Sequence, residues 1–176
     1  FKEEKGLTRY AIWLTFQKND EKKLQKIVNQ LSEKYNSEYF KPHISIYGLT
    51  DIKINEISNL CQNISSKFEP FNVEFLNISY SNNIWKSLFV NLKTNETMTE
   101  IHNIFNKEFG EIKNNEFIPH ISLIYKKIPV KQKKEILKNL KLEEQFKVDT
   151  ISILNYSEKI KNWTLKEEKI KIHKKN

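Results

Sequence analysis

The chain has little of several residue types that many functional sites need. Its 176 residues include one cysteine, three glycines and four prolines. A single cysteine, Cys61, excludes an internal disulfide, which favours a reducing compartment, and we therefore expect a cytoplasmic protein. Cys61 lies in an amphipathic run, so we predict a buried small hydrophobic residue there and not a nucleophile.

The missing motifs exclude several classes of site. Three glycines leave little room for a phosphate-binding loop, and the pattern Gly-x4-Gly-Lys does not occur. A Gly-x-Ser-x-Gly elbow is also absent, as are His-Glu-x-x-His and any cysteine cluster. We therefore expect no metal and no cofactor. No run approaches 18 apolar residues, so no membrane-spanning helix is expected.

Composition indicates one folded domain over residues 1–176. Hydrophobic residues make up 38% of the chain and aromatic residues 12%, which is enough for a core. The formal charge of +8 favours anionic partners such as nucleotides or RNA. A lysine-rich coding bias would give the same basic surface, so charge alone leaves both explanations open. We expect a monomer.

Hydrophobic periodicity predicts strands that alternate with amphipathic helices. Alternating residues indicate strands over 8–16, 39–47, 71–81, 84–92, 117–125, 145–157 and 163–172. Helical spacing indicates helices over 19–35, 51–68, 95–110 and 129–142. Asn82 and Asn83 are a plausible hairpin turn between two of the strands. The order predicts an α+β fold with two similar halves that share one sheet region, because no flexible linker separates them.

One short pattern occurs twice. "KPHISIYG" runs from Lys41 to Gly48, and "IPHISLIY" runs from Ile118 to Tyr125. Residues i and i+2 of a strand lie on the same face. His43 and Ser45 therefore share one face of the first strand, while the aliphatic residues between them belong to the core.

The second copy predicts the same arrangement for His120 and Ser122. If a two-fold axis relates the halves, both His–Ser pairs line one cleft. One imidazole can then accept a proton from water while the other donates a proton to the leaving oxygen. The serine hydroxyls can bind phosphoryl oxygens. Hydrolysis of a cyclic phosphodiester requires these groups and no metal.

A single His-x-Ser would be weak evidence, since most such histidines are structural, but two matching copies are a much stronger signal. The other two histidines have no repeat partner. His102 lies in an amphipathic helix, where we predict a surface residue, and His173 lies in a basic tail. Neither is assigned a role.

The doubled motif resembles the His-x-Thr/Ser pair of the two-histidine (2H) phosphoesterase superfamily. Within it, the chain most resembles the cyclic phosphodiesterase family, through stretches in the family's order: "YAIWLTF", "FKPHISIYGL", "IWKSLFVNL", "FIPHISLIYK" and "FKVDTISILNYSEKIKNWT". The resemblance implies a bilobal fold with antiparallel sheets around a central cleft and helices outside. It implies His43 and His120 as the acid–base pair, with Ser45 and Ser122 as phosphate ligands.

Aromatic residues are candidates for binding a base. Alternation places Trp13, Trp85 and Phe89 on the cleft side of their strands. Tyr125 corresponds to a tyrosine that the resembling family associates with its site, although strict alternation places it on the core side. Tyr47 is on the cleft side and is the alternative. Each of these residues could equally serve only in packing.

Three functions fit this sequence. The first is hydrolysis of a 2',3'-cyclic nucleotide or of ADP-ribose 1'',2''-cyclic phosphate, with His120 as base and His43 as acid because Tyr125 is expected near His120. The second is a 2H phosphodiesterase that acts on RNA ends, 2'-5' oligonucleotides or cyclic oligonucleotide signals. The third is a nucleotide-binding module without turnover. A continuous basic groove leading from the cleft would favour the second.

Overall fold

The structure is a computed structural model that describes residues 8–112 and 116–174. Within these residues the chain forms seven strands and four helices. The strands are β1 (Tyr10–Phe16), β2 (Ile44–Thr50), β3 (Phe71–Tyr80), β4 (Leu88–Leu92), β5 (His120–Ile124), β6 (Gln145–Asn155) and β7 (Thr164–Lys171). The helices are α1 (Lys18–Tyr35), α2 (Ile54–Lys67), α3 (Glu96–Phe109) and α4 (Val130–Asn139). Two short 3₁₀ segments cover Ile84–Lys86 and Ile160–Asn162.

The strands pair antiparallel in the order β2-β1-β6-β3-β4-β5, and β7 also pairs with β6. The long strand β6 joins the two lobes. Its first residues pair with β3, and its later residues pair with β7 on the same edge. The first lobe contains β1, β2 and β7, the second contains β3, β4 and β5, and the predicted α+β fold with two lobes is confirmed.

The core explains why the histidine strands orient their polar residues as they do. Ile44 and Ile46 of β2 are at most 1% exposed, and Ile121 and Leu123 of β5 are fully buried. Burying such a side chain contributes about 1.5–3 kcal/mol. A shift of one residue in strand register would expose these residues and bury the polar ones, so the core fixes the side on which the polar residues lie.

Helices of each half also pack against the other half. α1 contacts β5, the histidine strand of the second lobe, and α3 contacts β2, the histidine strand of the first. Among the described residues, no helix is both long enough and apolar enough to cross a membrane.

The predicted strand over 84–92 is partly wrong. Its first residues form a 3₁₀ turn because the Asn83 side chain accepts a hydrogen bond from the backbone N–H of Trp85 at 2.9 Å. The strand itself begins at Leu88. The predicted turn at Asn82 and Asn83 is therefore only part of a longer connection between β3 and β4.

The predicted surface position of His102 is also wrong. Its side chain is 4% exposed, and its Nδ1 donates to the carbonyl of Ile46 at 2.8 Å. The ring stacks on Phe117 at 4.5 Å between centroids. His102 thus ties α3 to β2. Cys61 is fully buried, as predicted.

Candidate active site in the cleft between the lobes

The two His–Ser pairs line one cavity of about 320 Å³ between the lobes. This cavity, called the cleft below, is lined by residues of both halves, including Trp13, His43, Ser45, Tyr47, Trp85, Lys86, His120, Ser122, Tyr125 and Trp163. The structure therefore brings together the two copies of the motif, as the two-fold arrangement predicts.

The same local bond orients both histidines. The Nδ1 of His43 lies 2.6 Å from the carbonyl oxygen of Lys41, and the Nδ1 of His120 lies 2.9 Å from that of Ile118. A carbonyl only accepts, so in each ring Nδ1 carries the hydrogen. The Nε2 atom of each neutral ring is then left with a lone pair, which is the form that a general base requires.

His43 is held in an aromatic environment. Its side chain is 5% exposed, and its ring stacks on Trp13 with 3.5 Å between centroids and 8° between planes. The Tyr125 hydroxyl lies 3.3 Å from Nε2 and donates to it when the ring is neutral. Burial lowers the pKa of His43 from 6.5 to about 3, with a smaller contribution from His120, while the bond to Lys41 opposes this shift.

His120 is more open to solvent than His43. It is half-buried, and burial lowers its pKa, with a further lowering by the charge of Lys86. The bond to the Ile118 carbonyl opposes the shift. Both pKa values are lowered, which favours uncharged imidazoles, and a bound anion opposes this shift.

The two serines differ in their partners. The Ser45 residue is exposed. Ser122 is buried, and its hydroxyl donates to the carbonyl of Trp85 at 3.2 Å. Ser122 must therefore rotate its hydroxyl before it can donate to a phosphoryl oxygen. The pseudo-symmetric motif thus carries two non-equivalent hydroxyls.

The two tyrosines take different positions. β5 ends at Ile124, so Tyr125 lies beyond the alternating part of the strand and reaches the cleft. Its hydroxyl lies 3.3 Å from Nε2 of His43, and both histidines line the same cavity as Tyr125. Burial raises the pKa of Tyr125. Tyr47 also lines the cleft, but its hydroxyl donates to the carbonyl of Gly110 at 2.5 Å.

Two tryptophans, one from each lobe, flank the cleft. Trp85 lies in the first 3₁₀ segment, and Trp163 directly follows the second. Their rings are 6.2 Å apart with 15° between planes. Trp163 is held by a bond from its Nε1 to the carbonyl of Ser157 at 2.7 Å. The sequence alone assigns Trp163 no role. The one available signal is that "IKNWT", like "NIWKS", lies in a connection between two strands and contains a tryptophan.

Phe89 does not line the cleft. It is 6% exposed and packs behind His120, with ring centroids 5.7 Å apart. The predicted alternation of β4 holds, since Leu88, Val90 and Leu92 belong to the core and Phe89 pairs with Ser122 on the other face. Phe89 is kept out of the cleft because His120 and Lys86 pack against its ring. Lys86, which the sequence did not single out, instead reaches over Phe89 and into the cleft.

Ligands for a metal are not grouped in the described part of the chain. No three His, Cys, Asp or Glu side chains lie close enough there to hold a metal ion. The polar groups that line the cleft include the two imidazoles, the hydroxyls of Ser45, Ser122 and Tyr125, and the Lys86 ammonium. This set can transfer protons and bind an anion.

A two-lobed antiparallel α+β fold with a His-x-Ser motif from each lobe facing one cleft is that of a two-histidine phosphoesterase. The family model of the 2'-5' RNA ligase superfamily matches residues 16–160. The chain belongs to this superfamily, that of the 2H phosphoesterases. A search of curated proteins found no significant match.

Solved structures share the fold at low sequence identity. The chain is similar to the protein TT0787 of Thermus thermophilus, with 13% identity, a TM-score of 0.65, and coverage of 96% of this chain and 100% of that one. It is also similar to E. coli LigT complexed with 3'-AMP, with 10% identity, a TM-score of 0.58, and coverage of 92% and 95%.

Proposed function

We propose that the protein hydrolyses a cyclic phosphate of a nucleotide, either a 2',3'-cyclic nucleotide or ADP-ribose 1'',2''-cyclic phosphate, by two-histidine acid–base catalysis. The observation that carries this proposal is the pair of imidazoles in one cleft, each with Nδ1 bonded to a backbone carbonyl. That bond fixes each ring so that Nε2 is the atom available for proton transfer.

The two histidines have different roles in this reaction. His43 is the base, because its deeper burial keeps the ring uncharged in the free enzyme, with a lone pair on Nε2 that can accept a proton. The Tyr125 hydroxyl first rotates away from Nε2 of His43, which frees its lone pair. Water then attacks phosphorus and gives its proton to Nε2 of His43. The bond from phosphorus to one ring oxygen breaks, and that oxygen takes a proton from Nε2 of His120. Tyr125 lies beside His43, where its hydroxyl can orient the attacking water, and this favours His43 over His120 as the base.

The remaining cleft residues bind the substrate. The hydroxyls of Ser45 and Ser122 and the Lys86 ammonium donate to the phosphoryl oxygens, which stabilises negative charge in the transition state. The phosphate also restores the proton on His120, since an anion beside an imidazole raises its pKa. Trp85 and Trp163 provide faces on which a base can stack. E. coli LigT, which shares the fold, is bound to 3'-AMP in one structure and to phosphate in another.

The proposal is tested with a panel of substrates in the presence of EDTA. The panel comprises the four 2',3'-cyclic mononucleotides, ADP-ribose 1'',2''-cyclic phosphate and a 2'-5' oligoadenylate, and phosphorus NMR identifies each product. Turnover of a small cyclic phosphate is the expected result, and the product shows which ring oxygen leaves. Turnover of the oligoadenylate alone would support the second function, and binding without turnover would support a non-catalytic module.

A further inference from the structure

We propose that Lys126 is a positioning residue, which holds the Tyr125 hydroxyl beside Nε2 of His43 by joining the end of β5 to the end of α1. Lys126 does not line the cleft, so it acts through Tyr125 and not on the substrate. The inference rests on the proposed function for its effect on catalysis, whereas the position of the hydroxyl can be measured without turnover.

The strand ladder stops before Tyr125. The pairing of β5 with β4 ends at Ile124, opposite Leu88, and Tyr125 is the next residue. Its ring lies 4.3 Å from that of Phe40 and 5.7 Å from that of Trp163, measured between centroids. These contacts favour one place for the ring, but the position of the Tyr125 backbone depends on the bonds that the chain makes beyond Ile124.

Lys126 makes such bonds through both its main chain and its side chain. Its carbonyl accepts a hydrogen bond from the hydroxyl of the buried Ser87 at 2.5 Å. Its Nζ donates to the carbonyl oxygens of Tyr35 at 2.5 Å and Asn36 at 3.1 Å. The residue after Tyr125 is therefore bonded once within its own lobe and twice to the end of α1.

The end of α1 is a suitable partner for an ammonium group. The last carbonyls of a helix have no partner within the helix, and the helix dipole places partial negative charge on them. Asn36 ends α1 in the left-handed conformation, with φ of +52°. In the described part of the chain, no carboxylate lies within 4.0 Å of the Lys126 Nζ to compete for it. Hydrogen bonds from a charged donor are about twice as strong as neutral ones, so this contact can hold the two elements together.

The same helix also holds the segment that orients His43. The Gln25 side-chain amide donates to the carbonyl of Phe40 at 2.9 Å. The next residue, Lys41, forms a 3.6 Å ion pair with Glu21, and its carbonyl accepts the bond from Nδ1 of His43. α1 thus contacts both the segment before His43 and the segment after β5. The distance between the base and the hydroxyl from the other lobe therefore depends on bonds to α1.

Nitrogen-15 NMR of the histidine rings tests the position of the hydroxyl in the folded protein. In the wild type, Nε2 of the uncharged His43 ring accepts from Tyr125. Loss of such a bond moves the resonance of an unprotonated ring nitrogen to higher frequency, and Tyr125→Phe gives the reference shift. Lys126→Met should move the Nε2 resonance in the same direction, and Lys126→Gln takes its place if that variant does not fold. Lys126→Arg, which keeps the charge and the donors, should leave the resonance near its wild-type position.

Hydrolysis of adenosine 2',3'-cyclic monophosphate tests the catalytic consequence in a double-mutant cycle. We expect Lys126→Met to lower kcat about tenfold with little change in KM, because the hydroxyl no longer orients the water. In the Tyr125→Phe background, the same substitution should lower kcat less than about twofold, because both residues act through one hydroxyl. Losses that multiply in the double variant, or a wild-type Nε2 resonance in Lys126→Met, would overturn the inference.

The control is Lys34→Met, which removes an exposed positive charge from the same last turn of α1 and leaves the bonds of Lys126 in place. It should change neither kcat nor the Nε2 resonance of His43. Equal effects of Lys34→Met and Lys126→Met would assign the result to charge at the helix end and overturn the inference. Wild-type turnover with an unmoved resonance in Lys126→Met rejects only the positioning role, and a moved resonance in a protein without turnover rejects only the proposed reaction.

Discussion

At the scale of single residues, the two histidines differ mainly in burial and in their neighbours. His43 is enclosed by Trp13 and Tyr125, whereas His120 is half-buried beside Lys86. The same short motif therefore produces two rings with different affinities for a proton. This difference is what assigns one ring as base and the other as acid.

The first prediction concerns Lys86→Met. The Lys86 charge lowers the pKa of His120, so its removal raises that pKa. Because the reaction uses protonated His120 and kcat/KM reports the pKa of the free enzyme, kcat/KM falls as pH rises through that pKa, and the variant should show this fall at higher pH. Loss of a phosphate contact should also reduce kcat/KM at the optimum roughly tenfold.

The measurement is the pH dependence of kcat/KM for the wild type, Lys86→Met and the control Lys134→Met. Lys134 is exposed on α4 and does not line the cleft. A high-pH limb that stays in place in Lys86→Met would contradict the role of Lys86.

The second prediction concerns Tyr125→Phe. The substitution keeps the ring, which packs on Phe40 at 4.3 Å between centroids, and removes the hydroxyl that lies 3.3 Å from Nε2 of His43. We expect kcat to fall about 10–100-fold with little change in KM, because the hydroxyl positions the base and not the substrate. An unchanged kcat, or an effect confined to KM, would remove Tyr125 from this role.

At the scale of elements, β2 depends on close pairing with β1. Gly48 has φ of +131°, and a Cβ there would lie 2.9 Å from Cα of Ala11 and 3.0 Å from the carbonyl oxygen of Tyr10. Both neighbours are backbone atoms of β1 and cannot move without disturbing the strand. Gly48 thus permits the close approach of the two strands at the edge of the cleft.

The third prediction compares Gly48→Ala with Gly110→Ala. Both glycines have positive φ, but a Cβ at Gly110 meets no atom within 4 Å. The backbone strain is common to both variants and costs about 1–3 kcal/mol, while the contact with β1 is added only at Gly48. Chemical denaturation should therefore show a larger loss of stability for Gly48→Ala. Equal losses would show that the contact has no effect.

Much of the arrangement of elements follows from periodicity, because the helices and strands each bury one apolar stripe or face. The errors have particular causes. The stretch over 84–92 alternates as a strand does, but capping by the Asn83 side chain makes its first part a 3₁₀ turn. His102 looks like an exposed helix residue until its acceptor, the carbonyl of Ile46, is known, and that group is 56 positions away.

The doubled motif predicts the two His–Ser pairs of the candidate site, and strand alternation also places Trp13 and Tyr47 correctly in the cleft. His43, Ser45, His120 and Ser122 follow from the doubled pattern, and their strands are fixed by the core. Trp163 and Lys86 have no such signal, because each reaches the cleft from a connection between strands. The proximity of Tyr125 to His43 depends on how the two lobes meet, which no local pattern records.

At the scale of the whole molecule, the cleft places a titratable ring in the interior. The pKa of His43 is about 3 in the folded protein against 6.5 as the ordinary value. The folded state thus binds a proton less readily than the unfolded state. Through His43, the free energy of unfolding is at its full value above pH 6.5 and decreases as pH falls from 6.5 towards 3.

The fourth prediction is that His43→Gln reduces the acid sensitivity of folding. Each pH unit below 6.5 costs the wild type up to about 1.4 kcal/mol through this group. Urea unfolding at about pH 6.5 and about pH 4.5 should show a smaller change in the variant than in the wild type. His173→Gln, at an exposed position in the tail, should behave as the wild type does. An equal change in His43→Gln would contradict the burial argument.

The central claim is that one imidazole from each lobe acts in the same reaction. The most direct measurement is the single-turnover rate of cyclic phosphate hydrolysis by wild type, His43→Ala, His120→Ala, the double variant and His173→Ala. We predict that each cleft variant loses about 10²–10⁴-fold, that the double variant loses little more than either single variant, and that His173→Ala retains the wild-type rate. A wild-type rate in either His43→Ala or His120→Ala would contradict the claim.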